Sequence, residues 1–230
     1  MNILAIKARS IARRVGLTRL YHKLFPRRRY EEKLHNAILA SLKTGDVIWD
    51  IGANQGIYSK IFCEKTGPSG HVFAFEPTPE SCATLSRQTA EFSWVHIERK
   101  ALSDFDGAGA LSVSGYDKSN HLVQANGDDS QSSVVSVPVV RGDTFWKASG
   151  MTPNVVKIDV EGFEEEGLAG MDSLLAAPGL RAVFVEVHFR LLEDRGRSEA
   201  PVRLENLLRS KGLRPRWVDP SHIAAERSII

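Results

Sequence analysis

The chain has 230 residues, of which 42% are hydrophobic and 25% charged, and its formal net charge is +2. These values fit one globular α/β domain with a sizeable core. No apolar run approaches the roughly 20 residues of a transmembrane helix, and Cys63 and Cys82 lack the spacing of metal ligands. We therefore expect a cytoplasmic protein whose two thiols are reduced.

Charge is distributed unevenly, because residues 1–29 contain nine lysines or arginines and no acidic residue. Apolar residues recur there at helical spacing as far as Pro26, which predicts a basic amphipathic arm at residues 1–29 and one domain at residues 30–230. Such an arm can bind peripherally to an anionic membrane, which for a cytoplasmic protein is the inner membrane face, or to an acidic partner. The simpler alternative is a lid or dimerisation helix, which leaves the oligomeric state open. The arm lacks interleaved aromatic residues, so we expect no nucleic-acid partner.

The central feature of the domain is a strand followed by a glycine loop and a helix start. After a predicted helix at residues 30–43, the apolar run at residues 47–51 predicts a strand that is buried on both faces. Gly52 and Gly56 follow, and a helical pattern begins at Ile57. Because glycine allows positive φ and close approach of backbone N–H groups, this arrangement predicts a nucleotide-cofactor site at the carboxyl edge of a parallel sheet.

Two acidic residues around this loop indicate which cofactor binds. The dinucleotide fingerprint G-x-G-x-x-G is absent, and Asp50 precedes Gly52, where a carboxylate would repel a pyrophosphate but suit the cationic amino-acid tail of S-adenosylmethionine. Glu76 ends the next predicted strand about 20 residues beyond the glycines, where a carboxylate can accept both ribose hydroxyls. Each acid alone would also suit a helix cap or a solvated strand end, but the ordered pair favours S-adenosylmethionine.

Strand and helix patterns alternate along the rest of the chain. We predict helices at residues 77–92, 164–176 and 202–210, strands at residues 94–97, 154–159 and 180–187, and a closing hairpin at residues 213–218 and 222–229. Residues 99–104 are predicted as a loop, residues 107–133 as a polar insertion with one short strand at residues 110–113, and residues 133–140 as part of a hairpin. This order predicts a doubly wound α/β sheet with mixed edges.

Five motifs occur in an order that resembles the FkbM family of S-adenosylmethionine-dependent methyltransferases. They are Asp50-Ile-Gly52-Ala-Asn54-x-Gly56, Phe75-Glu76-Pro77, Ala101-Leu102-Ser103-Asp104, Lys157-Ile-Asp159-Val-Glu161-Gly162-x-Glu164 and Val185-Glu186-Val187-His188. The Asp-Val-Glu-Gly motif is the most specific of them, and the resemblance covers roughly residues 30–188. The chain departs from the family pattern at residues 141–143, so no role is assigned to Asp143.

The resemblance implies a Rossmann-like class I methyltransferase fold, which is a doubly wound, mostly parallel α/β sheet of seven strands with a C-terminal antiparallel hairpin. It also implies O-methylation of a hydroxyl on a small-molecule or glycan acceptor, such as a sugar or a secondary metabolite. Finally, it implies positions for the parts of the cofactor: the methionine part on Gly52, Asn54 and Gly56, the ribose on Glu76, the adenine beside Ala101 and Leu102, and the methyl donor beside Asp159.

Methyl transfer to a hydroxyl also requires a base or a metal, because the pKa of the hydroxyl lies far above 7. His188 titrates nearest neutrality and follows a strand end, so it is our first choice as base, although a partly buried structural histidine would have the same sequence context. Asp159 and Glu161 are the other candidate catalytic residues, and they could hold Mg²⁺ with Glu186 nearby. Glu161 could instead cap the next helix, as we expect for Glu164. Metal dependence stays open.

Two other functions are compatible with parts of the sequence. A nicotinamide-dependent oxidoreductase would use the same class of fold, but the missing G-x-G-x-x-G counts against it. A non-catalytic module could bind the cofactor and dock on a membrane or a partner through residues 1–29. Retained cofactor binding without turnover would identify that module.

Overall fold

The computed structural model describes residues 28–113, 121–123 and 133–228, with side chains for residues 32–111 and 135–228. The predicted arm therefore lies almost entirely outside the described residues. The helices are α1 (Arg28–Ser41), α2 (Ile57–Thr66), α3 (Pro79–Gln88), α4 (Gly142–Ser149), α5 (Glu164–Ala169), α6 (Phe189–Asp194) and α7 (Ala200–Ser210), with a 3-10 helix at Leu174–Ala176. Within this part of the chain, no helix is both long and apolar enough to cross a membrane.

The strands form two sheets. They are β1 (Val47–Ile51), β2 (His71–Phe75), β3 (Val95–Glu98), β4 (Ala101–Ser103), β5 (Gly107–Val113), β6 (His121–Val123), β7 (Ser133–Arg141), β8 (Val155–Ile158), β9 (Ala182–Glu186), β10 (Arg214–Trp217) and β11 (His222–Glu226). The main sheet has the order β10-β11-β9-β8-β1-β2-β3, and the second sheet has the order β4-β7-β5-β6.

The main sheet confirms the predicted fold class. Its strands from β9 to β3 pair in parallel, whereas β11 pairs antiparallel with both β9 and β10. The strand order reverses between β1 and β8, because the chain passes from β1 to β2 and β3 and later returns to the other side of β1. In such sheets ligands bind outside the carboxyl ends of the strands at this reversal.

Alternating residues of β1 enter two core layers, as the two-residue period of a strand requires. Trp49 faces the layer that contains Leu168 of α5, and Ile48 faces the layer that contains Ile38 of α1. Both faces of β1 are therefore buried, as predicted. Asp50 has the same parity as Ile48, so this carboxylate needs a partner inside the protein.

The second sheet contains the segments that we predicted as a loop and an insertion. Residues 99–104, predicted as a loop, contain β4, which pairs in parallel with β7, and β5 pairs antiparallel with β7 along its whole length. Leu111, Val137 and Val139 bury their side chains in a common cluster with Phe163. The glycines and alanines that begin β5 have low strand propensity, so the strand depends on these partners rather than on its own sequence.

Helix α4 was also missing from our prediction. Gly142 begins it in close contact with Met171, where a Cβ would overlap the methionine side chain. Asp143 is buried, and its carboxylate accepts the N–H groups of Ser173 (2.9 Å) and Leu174 (2.8 Å). Asp143 therefore ties α4 to the 3-10 helix, which takes the place of the last turns of the helix predicted at residues 164–176.

Candidate active site

A cleft that is partly open to solvent lies at the carboxyl ends of β1, β2 and β8, beside the reversal of strand order. Seven of the predicted site residues line it: Gly52, Asn54, Glu76, Ala101, Leu102, Asp159 and Glu161. Four others do not: Asp50, Gly56, His188 and Glu186. The cleft is also lined by residues that we did not predict, among them Leu111 of the second sheet.

Close packing explains the two glycines of the loop after β1. Gly52 has a φ of 76°, and a Cβ there would overlap the carbonyl oxygen of Asp159. Gly56 has a φ of 88°, and a Cβ there would collide with Leu85 of α3. Only glycine fits both the conformation and the space at these two positions. The loop can therefore pack closely against the end of β8 and against α3.

Glu76 is fixed in the cleft by three hydrogen bonds. Its Oε2 accepts the N–H of Asn54 (2.9 Å), and its Oε1 accepts the N–H (2.9 Å) and the hydroxyl (2.6 Å) of Thr78. Burial raises the pKa of Glu76 above its usual value, although the bonds from Thr78 and Asn54 lower it. Since each carboxylate oxygen can accept two hydrogen bonds, Oε2 retains an acceptor position that a ribose hydroxyl can use.

Asp50 does not reach the cleft, which corrects our expectation that it contacts the cofactor. Its side chain has no exposed surface and accepts hydrogen bonds from Ser59 Oγ (2.6 Å) and Lys157 Nζ (3.1 Å). Lys157 is its direct neighbour across β1 and β8 and also lies 3.7 Å from Asp159 Oδ2. Burial alone would lower the pKa of Lys157, but the charges of Asp50 and Asp159 raise it well above its usual value. We had assigned no role to this lysine from the sequence.

Four carboxylates surround the imidazole of His188. Its Nδ1 lies 2.7 Å from Glu164 Oε1, and its Nε2 lies 3.2 Å from Glu161 Oε2. Asp159 Oδ1 and Glu186 Oε1 are 3.7 and 3.8 Å from the same Nε2. Glu164 is completely buried, whereas the other three carboxylates are partly exposed. The ends of β8 and β9 thus bring these residues together at one edge of the sheet.

The neighbouring carboxylates change the pKa of several groups in this cluster. Burial disfavours the imidazolium, but the hydrogen bond and charge of Glu164, helped by Asp159 and Glu161, raise the pKa of His188 to about 10. Burial and repulsion from Asp159 raise the pKa of Glu161 to about 7, and burial also raises the pKa of Asp159. These pKa shifts favour the charged form of His188 at neutral pH, and they favour the protonated forms of Glu161 and Asp159 more than in free carboxylic acids.

The loop that carries Glu161 is held in a rare conformation. Glu161 has a φ of 48°, which few non-glycine residues adopt, and Gly162 follows with a φ of 91° against Leu191 of α6. Arg195 donates to the carbonyl of Gly162, and its Cζ lies 3.5 Å from the centroid of the Phe163 ring. Strained backbone persists only where its surroundings fix it, and it is common at functional sites.

Three of these residues also have the arrangement of a metal site. Ligand atoms of Asp159, Glu161 and His188 lie within 4.8 Å of one another, so His188 takes the position that we had considered for Glu186. Glu164 orients the ring through Nδ1, as carboxylates do for metal-bound histidines. Oxygen ligands and an imidazole fit a divalent cation, which would have to displace the proton on Nε2.

Comparison with known proteins identifies relatives over most of the chain. Hexuronic acid methyltransferase AglP of Haloferax volcanii is 32% identical over 164 residues, which cover 70% of this chain and 63% of that protein, less than two thirds of its length. The 31-O-demethyl-FK506 methyltransferase FkbM of Streptomyces tacrolimicus is 28% identical over 202 residues and 74% of each chain.

A solved structure shows the same fold. The crystal structure of methyltransferase FkbM from Methylobacillus flagellatus superposes with a TM-score of 0.50 at 17% identity, over 79% of this chain and 43% of that one. The model of the methyltransferase FkbM domain matches residues 50–215, which include the glycine loop, Glu76 and the loop of Glu161. The chain therefore belongs to the FkbM family of methyltransferases.

Proposed function

We propose that this chain transfers a methyl group from S-adenosylmethionine to a hydroxyl oxygen of a sugar, glycan or secondary metabolite. The observation that carries the proposal is that one cleft is lined by Glu76, which suits a ribose, and by Asp159 and Glu161, which suit an acceptor hydroxyl. Two relatives support this acceptor class, because one is named for a hexuronic acid and the other for 31-O-demethyl-FK506.

The donor supplies an activated methyl group on its sulfonium, so the protein must bind it, align the acceptor and remove the acceptor proton. In this proposal Glu76 accepts one ribose hydroxyl through the free position on Oε2. Ala101 and Leu102 border the adenine, and the loop of Gly52 and Asn54 borders the methionine part.

We assign proton removal to Glu161 rather than to His188, which was our first choice. Glu161 lines the cleft, and its pKa of about 7 leaves it partly ionised at neutral pH. His188 does not line the cleft and already holds its proton, since its pKa is about 10. A base is most effective when its pKa lies near the working pH. His188 would then orient Glu161 through its Nε2–H.

Mg²⁺ or another divalent cation would use the same residues differently. Asp159, Glu161 and His188 would be its ligands, and a bound cation lowers the pKa of a coordinated hydroxyl. The two arrangements can be separated, because only the second requires a cation. Methyl transfer that EDTA abolishes and Mg²⁺ restores would favour the metal site, and transfer that EDTA leaves unchanged would favour Glu161 as base.

The experiment that tests the proposal is calorimetric titration of the protein with S-adenosylmethionine and with NAD⁺. We expect S-adenosylmethionine to bind and NAD⁺ not to bind. Glu76→Ala should weaken binding about 10- to 100-fold, because it removes hydrogen bonds to a charged acceptor worth about 1.5–3 kcal/mol. Glu80→Ala, at an exposed position in the first turn of α3, is the matched control.

Three outcomes would contradict the proposal in different ways. Binding of NAD⁺ alone would indicate an oxidoreductase. Binding of S-adenosylmethionine without transfer to any hydroxyl of a sugar and macrolide panel, with or without Mg²⁺, would indicate a non-catalytic module. Equal losses of S-adenosylmethionine affinity in Glu76→Ala and Glu80→Ala would show that Glu76 does not bind the ribose.

The proposal includes a peripheral membrane contact through residues 1–29. It is supported by the nine basic residues of this segment and its lack of acids, since basic segments are attracted to anionic lipids. A lipid-linked saccharide would then be an accessible acceptor.

A further inference from the structure

A second histidine lies on the other side of Glu186 from His188. His222 begins β11 and is the direct partner of Glu186 across the antiparallel pair of β9 and β11. Its Nε2 lies 3.4 Å from Glu186 Oε2, and its side chain is 5% exposed. The residue lies outside residues 50–215, which the family model matches, so family membership assigns it no role.

Asp219 fixes the orientation of the His222 ring. Its carboxylate has no exposed surface and lies 2.7 Å from His222 Nδ1. The same carboxylate accepts the backbone N–H groups of Ser221 (2.8 Å) and His222 (3.0 Å), so the turn between β10 and β11 holds it in place. Since a carboxylate only accepts hydrogen bonds, Nδ1 of His222 carries a proton.

Glu186 imposes the same requirement on the other ring nitrogen. Its Oε2 faces His222 Nε2, and two carboxylates can both be satisfied only if the imidazole donates from both nitrogens. One oxygen of Glu186 is thereby held, and its other oxygen lies 3.8 Å from Nε2 of His188. Because Asp219 is buried, a proton passed along this chain of groups would not reach solvent there. We therefore interpret Asp219 and His222 as groups that orient the carboxylate of Glu186, and not as a path for protons.

We propose that Asp219 and His222 are positioning residues, which hold Glu186 as a fixed carboxylate facing His188. The inference rests on the proposed function, because it gives Glu186 a part in the site that Glu161 and His188 form. A fixed carboxylate beside His188 helps to hold the imidazole in place, with its Nε2 3.2 Å from Glu161 Oε2. The C-terminal hairpin would in this way complete the catalytic end of the main sheet.

The test is the long-range ¹H–¹⁵N spectrum of the histidine rings in the full chain at pH 7.5. We expect both nitrogens of His222 to be protonated in the wild type, and Glu186→Gln to change its Nε2 signal. His222→Leu should shift the His188 signals in the same direction as Glu186→Gln does. His222→Gln should shift them less, because its amide can still donate to Glu186. His71→Gln, at the opposite end of the parallel strands in β2, is the control and should leave His188 unchanged.

A neutral His222 ring in the wild type would overturn the proposal, and so would unchanged His188 signals in a folded His222→Leu variant. If that variant does not fold, the response of His222 to Glu186→Gln decides the question. Calorimetric titration of the same samples with S-adenosylmethionine should give wild-type affinity, since neither His222 nor Glu186 lines the cleft. If the wild type does not bind S-adenosylmethionine, the proposed function is wrong. The ring signals test only the positioning role of Asp219 and His222.

Discussion

At the scale of single residues, the site is organised by charge pairing. Lys157 pairs with Asp50 inside the sheet, and His188 lies among four carboxylates. Removing one member of a buried pair leaves an uncompensated charge, whereas removing both often costs little. This asymmetry makes the pairs testable by substitution.

We expect Lys157→Met to destabilise the fold by about 3–5 kcal/mol, because Asp50 would remain as a buried charge without its partner. The double variant Asp50→Asn, Lys157→Met should recover much of this loss, since neither charge then remains. Urea unfolding of both variants gives the free energies of unfolding. A double variant as unstable as the single one would contradict the pairing.

The raised pKa of Glu161 predicts how stability depends on pH. Its folded-state pKa of about 7 lies above its usual value of 4.5, so between these values the folded protein holds a proton that the unfolded chain releases. Stability should therefore fall as pH rises through this window. Glu161→Gln should flatten the decline, whereas Glu80→Gln should not, as unfolding in urea at several pH values would show. The same slope in both variants would place the pKa of Glu161 near its usual value.

At the scale of elements, the second sheet forms part of the site. Leu111 of β5 lines the cleft and packs in the cluster that contains Phe163, next to the strained loop of Glu161. The segment that we predicted mainly as a polar insertion, with a short strand at residues 110–113, therefore forms a wall of the cleft.

We expect Leu111→Ala to destabilise the fold by about 2–5 kcal/mol through the cavity that it leaves and to weaken binding of S-adenosylmethionine. Val135→Ala in β7 is the matched control, because Val135 is 40% exposed and its loss should cost less than about 0.5 kcal/mol. Thermal unfolding and calorimetric titration measure the two effects. Normal affinity in a folded Leu111→Ala variant would argue that the second sheet does not border the cofactor.

At the scale of the whole molecule, the candidate site joins parts of the chain that are far apart in sequence. The glycine loop and the loop of Glu161 meet at one edge of the main sheet, because parallel strands align their carboxyl ends. The C-terminal hairpin reaches the same edge because β11 runs antiparallel to β9 and begins opposite Glu186. Residues 1–27 lie outside the described residues, so the division into an arm and a domain stays a proposal.

The membrane contact of the arm is tested on the full chain by co-sedimentation with vesicles. We expect binding to phosphatidylglycerol vesicles, little binding to phosphatidylcholine vesicles, and a loss with rising salt, because the attraction is electrostatic. Replacing Arg13, Arg14 and Arg19 by Gln should weaken it, by about 1 kcal/mol per charge. If the variant binds the vesicles as well as the wild type does, the proposed membrane contact is wrong. A lid or a dimerisation helix is then the favoured interpretation of the arm.

The sequence by itself determined the main sheet and most of the cleft. The strand at β1, the loop of Gly52 and Gly56, and the acid at Glu76 depend on local patterns, and the meeting of Asp159, Glu161 and His188 follows from the parallel order of the strands. Tertiary structure alone decided which groups carry charge and which face the cleft. Asp50 is buried beside Lys157 of β8, and the pKa of His188 is raised because Glu164, Asp159 and Glu161 lie next to it. Strand β4, the pairing of the first residues of β5 with β7, and the contact of His222 with Glu186 depend on partners that are distant in sequence, and no local pattern encodes such contacts.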